Sequence, residues 1–157
     1  MLENKKIIIT GIANKFSIAN GIAKAMSKNG AELAFLYQSE RLLKRIKPIA
    51  EELGVATLVE CDVSSDDSID KAFSEIKTKW GKVDGLVHSI GFAPTDQLEG
   101  DFTEVTTREG FKIAHDISSY SFTALAKAAL PILNENAALL TLTYLGSIQS
   151  LPNYNVM

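Results

Sequence analysis

Short apolar runs alternate along the chain with longer stretches of helical spacing. Ile7-Ile8-Ile9-Thr10 is apolar on both sides and stops at Gly11, which predicts a strand buried on both faces. Ile18, Ile22, Ala23 and Met26 then recur at helical spacing, and Asn29-Gly30 supplies the stop. A second strand is predicted over Glu32–Tyr37. The stripe Leu42, Leu43, Ile46, Ile49, Ala50 and Leu53 predicts a second helix ending at Gly54, which Pro48 should kink or restart. The third strand spans Thr57–Cys61. A helix carrying Ile69, Ala72, Phe73, Ile76 and Trp80 follows it up to Gly81, and Val83–His88 is the fourth strand. A looser segment rich in Asp, Thr and Gly runs from Phe92 to Thr107. It leads into one long helical stretch, Glu109 to Leu133, and a fifth strand, Ala138–Thr143. Strands and helices alternating through short connections predict an α/β chain with a Rossmann-type doubly wound parallel sheet, a single unit over residues 1–157.

Composition narrows the class without changing this picture. The 46% hydrophobic and 22% charged residues are those of a globular domain and argue against disorder. The net charge is −3 and the basic residues are scattered, so no footprint for nucleic acid is present. The longest uncharged apolar run, Ala137 to Leu145, falls well short of the roughly 20 residues that span a bilayer. The single Cys61 cannot build a disulfide framework. The expectation is a cytoplasmic protein without metal, nucleic-acid or membrane partners.

In a doubly wound sheet ligands bind at the carboxyl ends of the strands, near the point where the strand order reverses. The first turn there is Thr10-Gly11-Ile12-Ala13-Asn14-Lys15-Phe16-Ser17-Ile18-Ala19. Gly11 can make the tight turn. Ser17 and Ile18 stand at the helix start, where free amides and the dipole favour a pyrophosphate, and Ser17 is expected to be both N-cap and phosphate donor. The spaced glycines of the common dinucleotide fingerprint are missing, since Lys15 and Ser17 replace them.

The chain resembles the bacterial-type enoyl-acyl-carrier-protein reductases of the short-chain dehydrogenase/reductase superfamily, whose phosphate loop runs Gly, five residues, then Ser-Ile-Ala. Gly11 and Ser17-Ile18-Ala19 match it. The likeness continues through Gly30-Ala31-Glu32-Leu33-Ala34-Phe35, Cys61-Asp62-Val63, Val87-His88-Ser89-Ile90-Gly91-Phe92-Ala93 and Arg108-Glu109-Gly110-Phe111. It ends with Leu140-Thr141-Leu142-Thr143-Tyr144-Leu145-Gly146 and Pro152-Asn153-Tyr154-Asn155-Val156-Met157. The resemblance implies an NADH-dependent oxidoreductase that saturates the trans-2 double bond of an enoyl thioester on acyl carrier protein, in fatty acid elongation. It implies Asp62 and Val63 as the adenine clamp, and Ile90 beside the ribose and nicotinamide. Gln38 takes the position where an acidic residue commonly binds the adenosine ribose. With Arg41 and Lys44 nearby and no carboxylate, NADPH stays open alongside NADH.

At the reaction end the resemblance makes Tyr154 the phenol that hydrogen-bonds the thioester carbonyl, Tyr144 the second active-site tyrosine, and Ala93 a substrate contact. Tyr144 at a strand end is also ordinary packing. His88, on a buried strand, reads as a packed structural histidine, and neither it nor His115 is placed among the catalytic residues. The family's lysine, later strands and lid would fall beyond Met157, so the expectation is an N-terminal portion whose sheet is cut after the fifth strand. Activity of these residues alone is then doubtful. Polar Gly146-Ser147-Ile148-Gln149-Ser150 stands where the family carries charges. Two other readings remain at this point: a carbonyl-reducing short-chain dehydrogenase, and a non-catalytic nucleotide-binding module. The serines of Asp116-Ile117-Ser118-Ser119-Tyr120-Ser121 allow close helix packing, and the complete protein is expected to be a homotetramer.

Overall fold

The computed structural model describes residues 1–157. Its elements run β1 (Lys6–Ile9), α1 (Ile18–Lys28), β2 (Glu32–Tyr37), α2 (Glu40–Glu52), β3 (Thr57–Glu60), α3 (Asp66–Trp80) and β4 (Val83–His88). After these come α4 (Phe102–Val105), α5 (Arg108–His115), a π-helical turn (Asp116–Tyr120), α6 (Ser121–Ala129) and β5 (Leu133–Thr141). All neighbouring strands are parallel, in the order β3-β2-β1-β4-β5. The order therefore reverses between β1 and β4, which is where a doubly wound sheet opens a crevice.

Alternation along β1 divides the core in two. Ile8 faces one side and packs with Leu36, Val59 and Leu86 under α3 and α6, through Phe73, Ile76 and Leu125. Ile7 and Ile9 face the other side and pack with Leu33 and Phe35 under α1 and α2, through Ala19, Ala23, Ile46 and Ile49. Strands apolar on both faces are thus covered on both faces, as their sequence requires.

Three expectations are narrowed or changed. Pro48 lies inside α2, and the helix does not restart there but runs on from Glu40 to Glu52. Pro48 and Lys44, one turn earlier, are both exposed, so water can serve the carbonyl that the proline leaves without an amide partner. The single long helix from Glu109 to Leu133 is instead α5 and α6 joined by the π-helical turn, with a 3₁₀ turn at Leu130–Ile132. The fifth strand starts at Leu133 rather than Ala138. Val83 pairs with Leu133 and Gly85 with Ala138, so Asn134–Ala137 bulge out of register. Lys82 Nζ holds the start of the bulge by donating to the carbonyls of Pro131 (3.2 Å) and Leu133 (3.3 Å). β5 is the outer strand, and Leu139, Leu140 and Leu142 are exposed on and just after it.

Asp84 ties that bulge to β1. Its carboxylate accepts from the Lys6 amide (3.0 Å), Lys5 Nζ (3.0 Å) and Asn134 Nδ2 (3.0 Å). These bonds, led by the Lys6 amide, hold its carboxyl below the usual range. A depressed folded value means the stabilisation is complete above the unfolded carboxylate value, near 4, and is lost as pH falls through the lower folded one. Asp84→Ala is expected to cost about 1–2 kcal/mol near neutral pH, with the deficit shrinking in acid. Urea unfolding at neutral and acid pH checks this; a deficit that does not change with pH rules it out.

Candidate nucleotide and substrate site

The end of β1 is laced to the end of β4. The buried Thr10 hydroxyl donates to the Val87 carbonyl (3.1 Å) and accepts from the Ser89 amide (3.2 Å). Gly11 follows at φ +80, and a Cβ there would lie 1.7 Å from the Ser89 carbonyl oxygen. Only glycine lets the two strand ends come this close.

The loop beyond Gly11 is closed by its own bonds. The Phe16 amide donates to Asn14 Oδ1 (2.7 Å), and Asn20 Nδ2 donates to the Lys15 carbonyl (2.8 Å). Ser17 sits at the N-cap position of α1 but makes no side-chain cap bond. Its hydroxyl donates to the Asn14 carbonyl and accepts from the amides of Ala13 (3.3 Å) and Asn14 (3.4 Å). Of the two roles expected of Ser17, the N-cap bond is not made, and its hydroxyl shapes the turn from inside the loop. The amides of Asn20 and Gly21 close on the Ser17 carbonyl, leaving those of Ile18 and Ala19 without a protein acceptor at the positive end of the helix.

A cavity of about 360 Å³ opens at the strand ends, and Gly11, Gln38, Asp62, Val63 and Ile90 all line it. Asp62 is not the cap of α3. Ser65 holds that place and accepts from the Ser68 amide (3.3 Å). Asp62 Oδ1 accepts from the Ser64 amide (3.0 Å) and hydroxyl (2.8 Å), which leaves Oδ2 for an outside donor. Cys61 lies in the wall, where burial and then the Asp62 charge push its thiol up to about 12, so it stays protonated. Arg41 and Lys44 do not line the cavity.

A second cavity of about 420 Å³ adjoins the first and shares Ser89, Ile90 and Gly91 with it as a common wall. Ile18 lines this one rather than the first, beside Tyr144, Tyr154 and Met157. The two tyrosine rings meet edge to face, 5.3 Å between centroids at 84°. A Cβ at Gly146 would fall 2.2 Å from the Tyr144 ring, so the ring folds over a residue with no side chain. Burial, and next the neighbouring Tyr154, raise the Tyr144 hydroxyl above its usual value. Tyr154 follows Asn153, which has φ +58. Asn155 pins this segment by donating its amide to the Leu98 carbonyl (3.3 Å) and Nδ2 to that of Gly100 (3.1 Å). Ala93 is half-buried and lines neither cavity.

The chain matches the family model described as Enoyl-(Acyl carrier protein) reductase over residues 11–157. The chain belongs to the enoyl-acyl-carrier-protein reductase family. Among curated relatives, the NADH enoyl-acyl-carrier-protein reductase FabI of Escherichia coli K12 is 58% identical over 156 residues, which is 99% of this chain and 60% of the relative. The FabI of Haemophilus influenzae is 53% identical, with the same coverage. The chain thus spans about 60% of the length of the curated relatives it matches. Solved structures agree. The Aquifex aeolicus enoyl-acyl-carrier-protein reductase (NADH) is 46% identical with a TM-score of 0.95, covering 99% of this chain and 62% of that one. The Anaplasma phagocytophilum reductase, solved in complex with NAD, is 42% identical with a TM-score of 0.95, covering 99% and 59%.

Several residues in and around these two cavities carried little sequence signal. Ile117, in the π-helical turn, lines the first cavity. Ser118 next to it donates its hydroxyl to the Phe92 carbonyl (3.0 Å) and accepts from the Phe92 amide (3.0 Å), fastening the loop after β4. Thr10 had only its place before Gly11 to mark it. His115 lines the second cavity and stacks on Phe111 at 4.2 Å. No helix is long and apolar enough to cross a membrane.

Proposed function

We propose that the protein is an NADH-dependent enoyl-acyl-carrier-protein reductase that saturates the trans-2 double bond of a carrier-bound acyl thioester in fatty acid elongation. The observation that carries this is the wall Ser89-Ile90-Gly91, shared between a cavity at the strand switch point and one holding the paired tyrosines. A nicotinamide cofactor fits the first cavity. Gly11 lets the end of β1 close on the Ser89 backbone at the cavity wall, Ile18 and Ala19 present free amides, and Asp62 Oδ2 has no protein partner for an adenine amino group to displace. Val63 flanks the same space, and Gln38 can both donate to and accept from a ribose diol. Neither Arg41 nor Lys44 reaches the lining, which favours NADH over NADPH.

NADH, when bound, supplies the hydride that saturates the bond. The chain's part is to hold the thioester carbonyl while negative charge builds on its oxygen, and a preorganised phenol can do this. Tyr154 is the donor, and Tyr144 fixes its ring edge-on. Ala93 is the weaker member of the proposed set, a contact for the acyl group from the adjoining loop. The likeness to enzymes acting on fatty acyl thioesters supports a cytoplasmic setting. Exposed Phe111, Tyr120 and Leu130 along α5, the π-helical turn and the end of α6 support assembly into a homotetramer.

Titration of NADH fluorescence, followed by addition of a crotonyl thioester, tests the reading. Saturable binding and then loss of the reduced cofactor's absorbance are expected. Binding with no turnover would leave a nucleotide-binding module, and no binding would remove the cofactor assignment altogether.

A further inference from the structure

His88 ends β4 at 1% exposure, buried among groups that neither cavity includes. Its Nε2 is 2.7 Å from the Ser121 hydroxyl oxygen, and its Nδ1 is 3.0 Å from that of Thr141 on β5. Ser121 Oγ in turn lies 2.6 Å from the Ile117 carbonyl. A carbonyl only accepts, so the one hydrogen of Ser121 goes to Ile117, and Ser121 must accept from Nε2–H. Burial holds the His88 pKa below its usual value, so the ring is neutral; Nδ1 then accepts from the Thr141 hydroxyl. A directed chain results, from Thr141 through His88 and Ser121 to the Ile117 carbonyl, joining β5, β4 and the π-helical turn.

The turn needs such a hold. In an α-helix the Ser121 amide would donate to the Ile117 carbonyl; here it reaches back five residues to Asp116. The Ser121 hydroxyl takes the place its amide has left. π-helical turns are rare and give way to α-helix where nothing keeps them open. Closing this one would shift Ile117, Ser118 and Ser119 around the helix axis, and these residues line the two cavities.

We propose that His88 is a positioning residue: through Ser121 it keeps the Asp116–Tyr120 turn open, and so sets Ile117 against the nucleotide cavity and Ser118 against the Phe92 backbone. This rests on the NADH reading above only for its binding readout. Two variants of the protein test it. Ser121→Ala removes one atom, and His88→Phe keeps an aromatic ring beside Phe122, whose centroid is 5.4 Å away.

Amide hydrogen exchange over residues 116–122, measured without ligand, should rise about tenfold in each variant relative to the rest of the chain, the loss expected for one buried hydrogen bond. NADH should bind about tenfold more weakly, the double variant should be no worse than either single one, and His88→Gln, which restores an N–H donor, should recover most of the loss. Local exchange and affinity at wild-type values in Ser121→Ala overturn the proposal. So does an additive double variant, or a lower melting temperature with an unchanged exchange profile, since either makes His88 packing alone. If the wild-type protein binds no NADH, the cofactor reading fails, and the exchange measurement still decides the role of His88.

Discussion

Tyr154→Phe is expected to lower the turnover of an enoyl thioester by about 10²–10³-fold, the loss seen when one preorganised donor to a developing oxyanion is removed. Phenylalanine keeps the ring, so the edge-to-face contact with Tyr144 and the packing of the Pro152–Met157 segment remain. What goes is one O–H. NADH affinity should therefore stay within about twofold, because no cofactor-cavity residue changes. Steady-state kinetics with a crotonyl thioester, set beside NADH titration, separates the two effects. Turnover equal to wild type would show that another group carries the oxyanion. Tyr144→Phe should cost less, since in the proposed reaction Tyr144 only packs edge-to-face against the donor Tyr154.

Gly11→Ala should be the most damaging single methyl in the chain. Two costs coincide there: a φ of +80, and a Cβ placed 1.7 Å from the Ser89 carbonyl oxygen. The second cannot be relieved by a side-chain rotation, because the obstacle is backbone. Ser89 is part of the shared wall and is bonded to Thr10, so moving it spoils both cavities at once. A loss of about 4 kcal/mol in stability is expected, at the upper end for a point substitution, with NADH binding abolished. Gly54→Ala is the control. Its φ is +67 but nothing lies within 4 Å, so only the dihedral cost applies, about 1 kcal/mol. Chemical denaturation of both variants decides the matter: equal losses would mean that the close approach to Ser89 carries no weight.

The strands β1 to β4 and helices α1 to α3 were legible because each rests on local chemistry. A short apolar run, a helical stripe and a closing glycine fall in that order three times. The fifth strand was legible only from Ala138 onward, since Asn134-Glu135-Asn136 reads as a loop and is indeed a bulge, pinned by Asp84 and Lys82 from β4 and its approach. The π-helical turn left no mark, because Ile117, Ser118 and Ser119 suit either helix and the choice is made by His88, which is distant in sequence. In the site, Gly11, Gln38, Asp62, Val63 and Ile90 gather as the fold class and family likeness imply. Ser17 makes no N-cap bond for a local reason: its hydroxyl donates to the Asn14 carbonyl instead.

The bonds among Asn14, Phe16, Ser17 and Asn20 have a thermodynamic consequence. A phosphate loop that is floppy when empty must lose its backbone freedom as the ligand arrives, and the affinity is reduced by that ordering. Here the segment from Ala13 to Ser17 is held by hydrogen bonds of its own. Its conformational entropy is surrendered when the chain folds, and the amides of Ile18 and Ala19 stand preorganised. Nucleotide capture at this end should accordingly proceed with little rearrangement of the loop.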